Sequence, residues 1–428
     1  MTSGLAAPFE RSHPLPGVVL VYEPMPHVRS VSIGFWVDAG ARDEPDELAG
    51  EAHMLEHLLF KGTETRSAQD IANAFDTVGG ELNAYSAREH TCFYARVLDA
   101  DVEMAIDVLC DMYRNASLRP DDLESERRVV AEEIRMAADV PEDWVHDVYA
   151  EAAFPGHPLG RAVIGTEATV GAMRREDLVR FYREAYVSDR LVVSVAGSFV
   201  PADVVARLQE RLEPGSAPVR RTDRSTPTFG GPRATYKARD CEEAHIVWGF
   251  EAVSRDDPDR YALGVLNGLY GGGVSSRLFQ EVREKRGLAY SVYSGYHAYL
   301  DTGLFSVYAG TQADAAAEVM EIARREAAEI VSGSVGTDEV ERARGHVKGG
   351  LVLAMDDPGG RMTRLGRSEL VHGEIPTVDE LLQRIDAVTP EDVARVAKRV
   401  FAGGGSVLAC VGPVEEGSLD FAVQPLGD

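Results

Sequence analysis

The sequence predicts an α+β fold made of two similar halves, and two observations support this. Two buried-strand patterns each end in a glycine, at Gly197 and Gly412, which are 215 residues apart. The strand-like stretches at 30–40 and 244–253 form a second pair with an offset of about 214. Matching patterns at one offset indicate an internal duplication with a period near half of the 428 residues.

Helical patterns separate these strands. In 99–116 and 176–187 apolar residues recur at i, i+3, i+4 and i+7, the spacing of an amphipathic helix. The stretches 377–388 and 389–401 begin with a threonine followed by acids, which is typical of a helix N-terminus. Because helices and strands occur in both halves, we expect each half to fold as one α+β domain.

The domain boundary is predicted from composition. Proline, glycine, serine and charged residues are concentrated at 216–232, as in a linker. We therefore expect an N-terminal domain at 1–215 and a C-terminal domain at 233–428.

Composition limits the partners. The net charge is −26 and the pI about 4.8, which argues against nucleic acid or an anionic membrane as a partner. We find no signal-peptide pattern and no apolar run long enough to span a membrane. The four cysteines are far apart and form no CxxC motif, so we expect reduced thiols and a cytoplasmic protein.

One short motif carries chemistry. The stretch "EAHMLEHLLFKGT" (51–63) places His53 and His57 four residues apart, with Glu56 beside the second histidine. Positions i and i+4 share one face of a helix, so both imidazoles can meet one metal ion. The pattern is HxxEH, the inverse of the HExxH zinc signature, although so short a motif also arises by chance.

A catalytic zinc needs a third protein ligand, and a helical segment at 124–139 offers three glutamates. Glu126 and Glu133 are seven residues apart and lie on one face, whereas Glu132 points about a third of the way around the helix. A solvated acidic helix face is the alternative interpretation, and these residues alone leave it open.

Four segments together resemble a known family. They are "HMLEHLLFKGT" (53–63), "GGELNAYSAREHTCFYA" (79–95), "HPLGRAVIGTEATV" (157–170) and "LFQEVREKRGLAYSVYSGY" (278–296). They resemble the inverted-zincin family of pitrilysin, insulin-degrading enzyme and mitochondrial processing peptidase, most closely its short bacterial processing-peptidase-like members. The similarity extends over roughly residues 15 to 415.

The resemblance implies a zinc site. It makes Glu56 the general base and Glu126 the carboxylate that orients a ligand histidine, and it implies the zinc ligands His53, His57 and Glu133. At the corresponding positions the second half has Asn267 and Gly268 instead of Glu56 and His57. The C-terminal domain is therefore expected to be a degenerate copy without zinc.

The resemblance also implies residues that hold the substrate. Arg283 and Tyr290 match a pair that contacts the substrate and the developing oxyanion. Without the resemblance, Arg283 would be interpreted as a surface residue and Tyr290 as a packing residue. The implied edge strand pairs its backbone with an extended substrate at Asn83, Ala84 and Tyr85, although any edge strand exposes such groups.

A finer hypothesis concerns specificity. Asp143 and Asp147 lie ten and fourteen residues beyond Glu133, where acids in the similar processing peptidases contact a basic substrate side chain. The hypothesis is that arginine or lysine near the scissile bond is preferred. An ordinary helix start explains the same two acids equally well.

The resemblance implies that the chain is a Zn²⁺-dependent endopeptidase that cleaves unfolded peptides or leader segments, and the hypothesis on specificity adds a preference for basic residues near the cut. Each domain is expected to be a mixed sheet flanked by helices, and one chain to form half of a clamshell chamber. A homodimer is expected, with Arg283 and Tyr290 acting on the other protomer's site, and a heterodimer with a related chain is the alternative. A non-catalytic scaffold or substrate-recognition subunit is the alternative function, and a peptidase dedicated to one leader peptide is a third.

Overall fold

The computed structural model describes residues 9–215 and 224–426. The strands are β1 (Glu10–Leu15), β2 (Val18–Pro24), β3 (Ser30–Val37), β4 (Glu81–Ser86), β5 (Thr91–Leu98), β6 (Leu191–Gly197), β7 (Arg233–Ala238), β8 (Glu243–Ala252), β9 (Ala289–Ala298), β10 (Gly303–Gln312) and β11 (Ser406–Gly412). The α-helices are α1 (Glu51–Leu59), α2 (Ala68–Asp76), α3 (Val102–Asn115), α4 (Pro120–Asp139), α5 (Pro141–Ala153), α6 (Glu167–Ala172), α7 (Arg175–Ala185), α8 (Pro201–Arg211), α9 (Arg260–Tyr270), α10 (Ala316–Val331), α11 (Thr337–Ala354), α12 (Pro358–His372), α13 (Val378–Asp386) and α14 (Pro390–Phe401). Helices and mixed sheets in both halves confirm the α+β prediction.

Each half contributes one mixed sheet, and the two sheets share a topology. The first has the strand order β1-β2-β6-β3-β5-β4 and the second β7-β11-β8-β10-β9. In each sheet one pair is parallel, β2 with β6 and β7 with β11, while the other neighbours are antiparallel. The strands predicted at a constant offset therefore occupy matching places, as an internal duplication requires.

A glycine closes a matching strand in each sheet. Gly197 ends β6 with φ +133°, and Gly412 ends β11 with φ +146°. A Cβ on Gly197 would lie 2.2 Å from the carbonyl oxygen of Ser30, and one on Gly412 would lie 2.8 Å from that of Glu243. Both positions need a left-handed backbone and a close approach to the next strand, which only glycine provides.

The described residues form two compact units, and each unit is built from three separate segments of the sequence. The first unit comprises Met1–Ile134, Ala162–Arg224 and Leu353–Thr377. The second comprises Arg135–Arg161, Ser225–Val352 and Val378–Asp428.

These units differ from the contiguous domains expected at 1–215 and 233–428. Helix α5 packs on β7, β8 and β11 of the second unit, and α12 packs on β2, β3 and β6 of the first. Each helix thus buries its apolar face on a sheet built by the other half of the sequence. The predicted linker at 216–232 lies partly outside the described residues, because 216–223 are not among them.

Each sheet is covered on both faces by apolar side chains. In the first unit, α1 and α3 pack on one face, while Trp36 contacts Met362 and Leu365 of α12 on the other. In the second unit, α9, α10 and α14 cover one face, and Val145 and Tyr149 of α5 pack on the other. None of the helices described combines the length and the hydropathy that crossing a bilayer demands.

A candidate metal centre beside an edge strand

Helix α1 carries the HxxEH motif and is held at its N-terminus by a buried carboxylate. Glu44 accepts hydrogen bonds from the backbone amides of Gly50 at 2.8 Å and Ala52 at 2.7 Å. Two amides that the helix leaves unpaired are thereby satisfied, and a negative charge lies at the positive end of the helix. The residues that face the core are apolar: Ala52, Met54, Leu55, Leu58 and Leu59. The motif residues consequently lie together on the opposite, half-buried face.

Helix α4 brings the predicted third ligand to this face. The Nε2 atoms of His53 and His57 lie 3.8 Å and 3.4 Å from Oε2 of Glu133. The two imidazole rings are 4.7 Å apart between centroids. Glu132 is exposed and does not join this group.

The donor set fits a zinc ion. One ligand atom from each of His53, His57 and Glu133 lies within 4.8 Å of the others. Donors about 2.0–2.2 Å from a tetrahedral zinc are separated by roughly 3.3–3.6 Å, so only a small adjustment is needed. Burial lowers the pKa of His53 to about 4, with His57 adding to the effect, so its imidazole is neutral and able to bind a metal at neutral pH. Two imidazoles and one carboxylate are the donor set of a catalytic zinc site with an open position.

Glu126, the second glutamate on this face of α4, contacts a ligand histidine. Its Oε2 lies 3.0 Å from Nδ1 of His57, and its Oε1 lies 2.7 Å from Nζ of Lys61. A hydrogen bond from Nδ1 leaves Nε2 free as the donor atom toward a metal, which is the arrangement that orients a ligand imidazole.

Glu56 lies outside the group of converging ligands and accepts a hydrogen bond from a serine. The hydroxyl of Ser86 donates to Oε2 of Glu56 at 2.6 Å. Burial raises the pKa of Glu56, and the hydrogen bond from Ser86 opposes that rise. A carboxylate on the same helix as two candidate ligands but outside the ligand set, with its pKa raised, is suited to accept a proton.

The predicted strand at the active face is an edge strand. β4 contains Asn83, Ala84 and Tyr85 and pairs on one side with β5. The backbone amide of Ala84 donates to the side-chain oxygen of Asn83 at 2.8 Å, and not to a neighbouring strand among the described residues. Tyr85 packs edge-on against Trp36 and is 38% exposed.

A cavity of about 460 Å³ adjoins this strand. Phe60, which follows the ligand helix, lines it together with Ile71 and Phe75 of α2 and Leu82 and Asn83 of β4. Its walls are mainly apolar and aromatic, which suits a large apolar side chain.

In the second unit the predicted arginine and tyrosine contact each other. The guanidinium of Arg283 donates to the backbone carbonyl of Tyr290 at 2.9 Å and lies 4.4 Å from the centre of its ring. Tyr290 is 75% exposed on β9, an edge strand of the second sheet. The two side chains therefore form one exposed cation–π pair.

Asp143 and Asp147 lie on α5, as the hypothesis of a basic-residue site requires. Asp143 is exposed, and Asp147 is half-buried. Nearby, Tyr293 of β9 lies 3.4 Å from Nε2 of His146 and stacks on Tyr308 with ring centroids 4.9 Å apart. Burial raises the pKa of Tyr293, and the charges of Glu142 and Asp143 add to this effect.

Helix α9 of the second unit repeats the position of α1 without its ligands. Ser294 of β9 donates to the side-chain oxygen of Asn267 at 2.8 Å, as Ser86 of β4 does to Glu56. A Cβ on Gly268 would lie 3.6 Å from Cβ of Ala343 on α11. The loss of the histidine and glutamate side chains at these positions agrees with the expected degenerate copy.

Three residues that contact the motif helix or its partners are not indicated by any sequence pattern. Ser86 directly follows the predicted substrate strand, and Lys61 lies four residues after His57. Glu44 lies in the loop before α1. The spacing of four residues between His57 and Lys61 is that of one helical turn, but no pattern in the neighbouring sequence indicates that Lys61 pairs with Glu126.

A two-sheet α+β fold with an HxxEH helix and a distant glutamate defines the class, an inverted-zincin metallopeptidase fold. Residues 19–167 match the family described as Insulinase (Peptidase family M16), and residues 172–346 match the one described as Peptidase M16 inactive domain. The chain belongs to peptidase family M16.

Relatives that bear the name uncharacterized zinc protease span nearly the whole chain. One from Streptomyces coelicolor is 45% identical over 408 residues, covering 94% of this chain and 88% of its own. One from Mycobacterium tuberculosis is 44% identical over 390 residues, covering 90% and 89%. YmxG of Bacillus subtilis is 38% identical over 385 residues, covering 90% and 94%.

Two solved structures share the fold. The crystal structure of a protease from Helicobacter pylori matches with a TM-score of 0.88 at 22% identity, covering 95% of this chain and 99% of that one. A structure described as a peptidase M16 inactive domain from Pseudomonas fluorescens matches with a TM-score of 0.86 at 18% identity, covering 95% and 98%.

Proposed function

We propose that the chain is a zinc-dependent endopeptidase that cleaves unfolded peptides. The observation that carries the proposal is the convergence of His53, His57 and Glu133 within 4.8 Å, with Glu56 on the same helix but outside the ligand set. The names of the relatives from Streptomyces, Mycobacterium and Bacillus support zinc as the metal.

The residues of the first unit have distinct roles in this proposal. Zinc, when bound there, supplies a Lewis acid that polarises a carbonyl and makes water more acidic. His53, His57 and Glu133 hold the metal, and Glu126 fixes the orientation of His57. Glu56 accepts a proton from the attacking water and delivers it to the leaving amine.

The substrate is proposed to bind as a strand beside β4. A backbone carbonyl of the substrate would accept the hydrogen bond that the amide of Ala84 donates to Asn83 in this structure. The substrate would thereby extend the sheet at its open edge. Pairing through backbone atoms selects an extended chain and makes little demand on sequence. This favours unfolded peptides or leader segments over folded proteins.

The central experiment compares the full chain with Glu56→Gln. Zinc content is measured by atomic emission, and cleavage of a mixed peptide library by mass spectrometry. We expect about one zinc per chain in both proteins, with cleavage lost in the variant. Glu132→Gln is the matched control, because it changes an exposed acid beside Glu133 and should leave both measurements unaltered.

The other outcomes favour the alternatives. Absence of zinc from the unmodified chain would contradict the peptidase proposal and favour a non-catalytic scaffold. Cleavage restricted to a few library members would favour a peptidase dedicated to leader removal.

A preference for arginine or lysine near the cut is a finer part of the proposal. Glu142 and Asp143 of α5 act on the rings of Tyr293 and Tyr308, Asp147 acts on the neighbouring His146, and acids with aromatic rings together attract a cationic side chain. Replacing Asp143 and Asp147 with asparagine should lower cleavage of an arginine-containing peptide but not of its norleucine analogue. An unchanged ratio between the two peptides would contradict the preference.

We also propose a homodimer, in which Arg283 and Tyr290 serve the other protomer's site. The chain holds both the ligand set and this pair, so two identical chains are self-sufficient. Glu56→Gln and Arg283→Ala are each expected to be inactive, and mixing them should restore activity if Arg283 acts in trans. A mixture that stays inactive would contradict action in trans, and a monomer in light scattering would contradict the dimer.

We propose a cytoplasmic location, because all four cysteines are free, as is usual in a reducing compartment. Fractionation of cells with an antibody to the chain tests this.

A further inference from the structure

Glu126 is almost completely buried, yet it carries a carboxylate. It is 3% exposed, whereas Lys61, whose side chain is 35% exposed, reaches in from the end of α1. A buried carboxylate is costly unless a positive charge and hydrogen bonds compensate it. Lys61 provides that charge at 2.7 Å.

The two oxygens of this carboxylate have different neighbours. Oε1 meets Nζ of Lys61, and Oε2 meets Nδ1 of His57. Because the carboxylate is rigid and planar, fixing Oε1 also fixes the direction from which Oε2 approaches the imidazole. Lys61 and His57 are therefore linked through the two oxygens of one carboxylate.

The second unit provides an internal comparison. Glu56 and Asn267 occupy matching positions, each bonded to a serine of an edge strand, and are 211 residues apart. The same offset places Gly272 at the position of Lys61. Ala343 lies next to Gly268, as Glu126 lies next to His57. In the unit that lacks the ligands, both members of the Lys61–Glu126 pair are therefore replaced by small residues.

A pair needed only for packing or folding would be expected in both copies of the duplicated fold. The hydrogen bond of the serine to the helix is such a contact, since it occurs in both units. The Lys61–Glu126 ion pair is instead confined to the copy with the ligand set.

We propose that Lys61 is a positioning residue for the metal site, which fixes Glu126 and thereby holds His57 in the orientation that binds zinc. This rests on the proposed function, since it assumes that His57 is a zinc ligand. It predicts that the charge of Lys61 contributes to zinc affinity itself and not only to turnover.

The test measures zinc affinity of the full chain by competition with a chelator of known affinity. Lys61→Met, which keeps the aliphatic stem and removes the charge, should weaken zinc binding about 10- to 100-fold. Lys61→Arg should recover most of the loss. Lys348→Met is the matched control, because Lys348 pairs with the exposed Asp386 in the second unit and should leave zinc affinity unaltered.

A double-mutant cycle separates positioning from a structural effect. If Lys61 acts through Glu126, Lys61→Met should weaken zinc binding little further in a Glu126→Gln background, whereas independent effects would add. Lys61→Gln repeats the measurement if Lys61→Met does not fold, as judged by circular dichroism.

The outcomes distinguish this inference from the proposed function. Zinc binding by the neutral variants that is as tight as in the unmodified chain would overturn the role of Lys61 and leave the peptidase proposal standing. Additive effects in the cycle would overturn it as well. An unmodified chain that binds no zinc would overturn both.

Discussion

Ser86 donates a hydrogen bond of 2.6 Å to Glu56, and so joins the edge strand β4 to the predicted general base on α1. The serine directly follows Tyr85, one of the residues expected to line the bound peptide. One hydroxyl therefore connects the proposed substrate strand with the proposed general base.

Removal of this hydroxyl should impair turnover more than binding. In Ser86→Ala, Glu56 loses a donor that holds it in place and that opposes the rise of its pKa from burial. We expect kcat to fall about tenfold with little change in KM, as for a group that acts mainly in the transition state. Steady-state kinetics on one library peptide and zinc content are the measurements.

Ser294→Ala is the matched control, because Ser294 makes the same contact with Asn267 in the second unit. It should leave kcat unaltered. Equal losses in both variants would show that the contact is merely structural.

Local sequence patterns predicted the helices and strands, but they did not predict which of the two compact units each helix joins. The periodicity of 99–116 and the alternation at 30–40 come from neighbours along the chain, and α3 and β3 lie there. The sequence also predicts that α12 has an apolar face, but it does not show which sheet covers that face. For this reason the predicted contiguous domains differ from the compact units of the structure.

The residues of the candidate site could likewise be predicted from local patterns only where they are neighbours along the chain. His53, Glu56 and His57 share one helix, so their spacing alone places them on one face. The partners of Glu126 depend on how α4 crosses α1, a tertiary relationship that no local spacing contains. The resemblance to a known family predicted the roles of Glu133 and Glu126. The contacts of Lys61 with Glu126 and of Ser86 with Glu56 were found only from the interatomic distances in the structure.

The apolar cavity beside β4 should select the substrate side chain. Ala72→Trp, at an exposed position of its lining, should fill part of the 460 Å³. We expect kcat/KM to fall about tenfold for peptides with leucine or phenylalanine next to the bond, and little for alanine, since each buried methylene contributes about 0.8 kcal/mol. A panel of peptides that differ at one position provides the measurement.

Val200→Trp controls for an added indole, because Val200 is exposed at a different cavity of the first unit. It should leave the ranking of the peptides intact. If Ala72→Trp reduces all peptides equally, the cavity does not receive a substrate side chain.

The strand end at Gly197 should be intolerant of any side chain. In Gly197→Ala the new Cβ would meet the carbonyl oxygen of Ser30 at 2.2 Å on a backbone with φ +133°. We expect a loss of about 3 kcal/mol in the free energy of unfolding of the first unit. Urea unfolding followed by tryptophan fluorescence measures this, because Trp36 lies in that unit's sheet.

Gly171→Ala is the corresponding control. A Cβ there meets nothing within 4 Å, and Gly171 lies in α6, so stability should stay equal or rise by up to about 1 kcal/mol. Similar losses in both variants would contradict the steric argument.

Asp111 should make the free energy of unfolding of the first unit depend on pH in the acidic range. Its carboxylate accepts hydrogen bonds from Thr63 at 2.7 Å, Thr65 at 3.0 Å and Asn115 at 2.8 Å, and it pairs with Arg66. Burial pushes its pKa up, but these donors outweigh burial and hold the pKa below its ordinary value. The group therefore contributes stability above the unfolded-state pKa of about 3.9, and that contribution is lost as the pH falls through the folded-state pKa.

Asp111→Asn should accordingly cost about 2 kcal/mol of unfolding free energy at pH 7, because the charge-assisted bonds that fix the loop after α1 are weakened. At pH 3 the difference between variant and unmodified chain should shrink, since pH 3 lies below the unfolded-state pKa of about 3.9 and the unfolded state then binds the proton. Asp121→Asn, at an exposed position of α4, should change stability by less than about 0.5 kcal/mol at either pH. A cost for Asp111→Asn that is equal at pH 7 and pH 3 would show that its charge does not stabilise the fold.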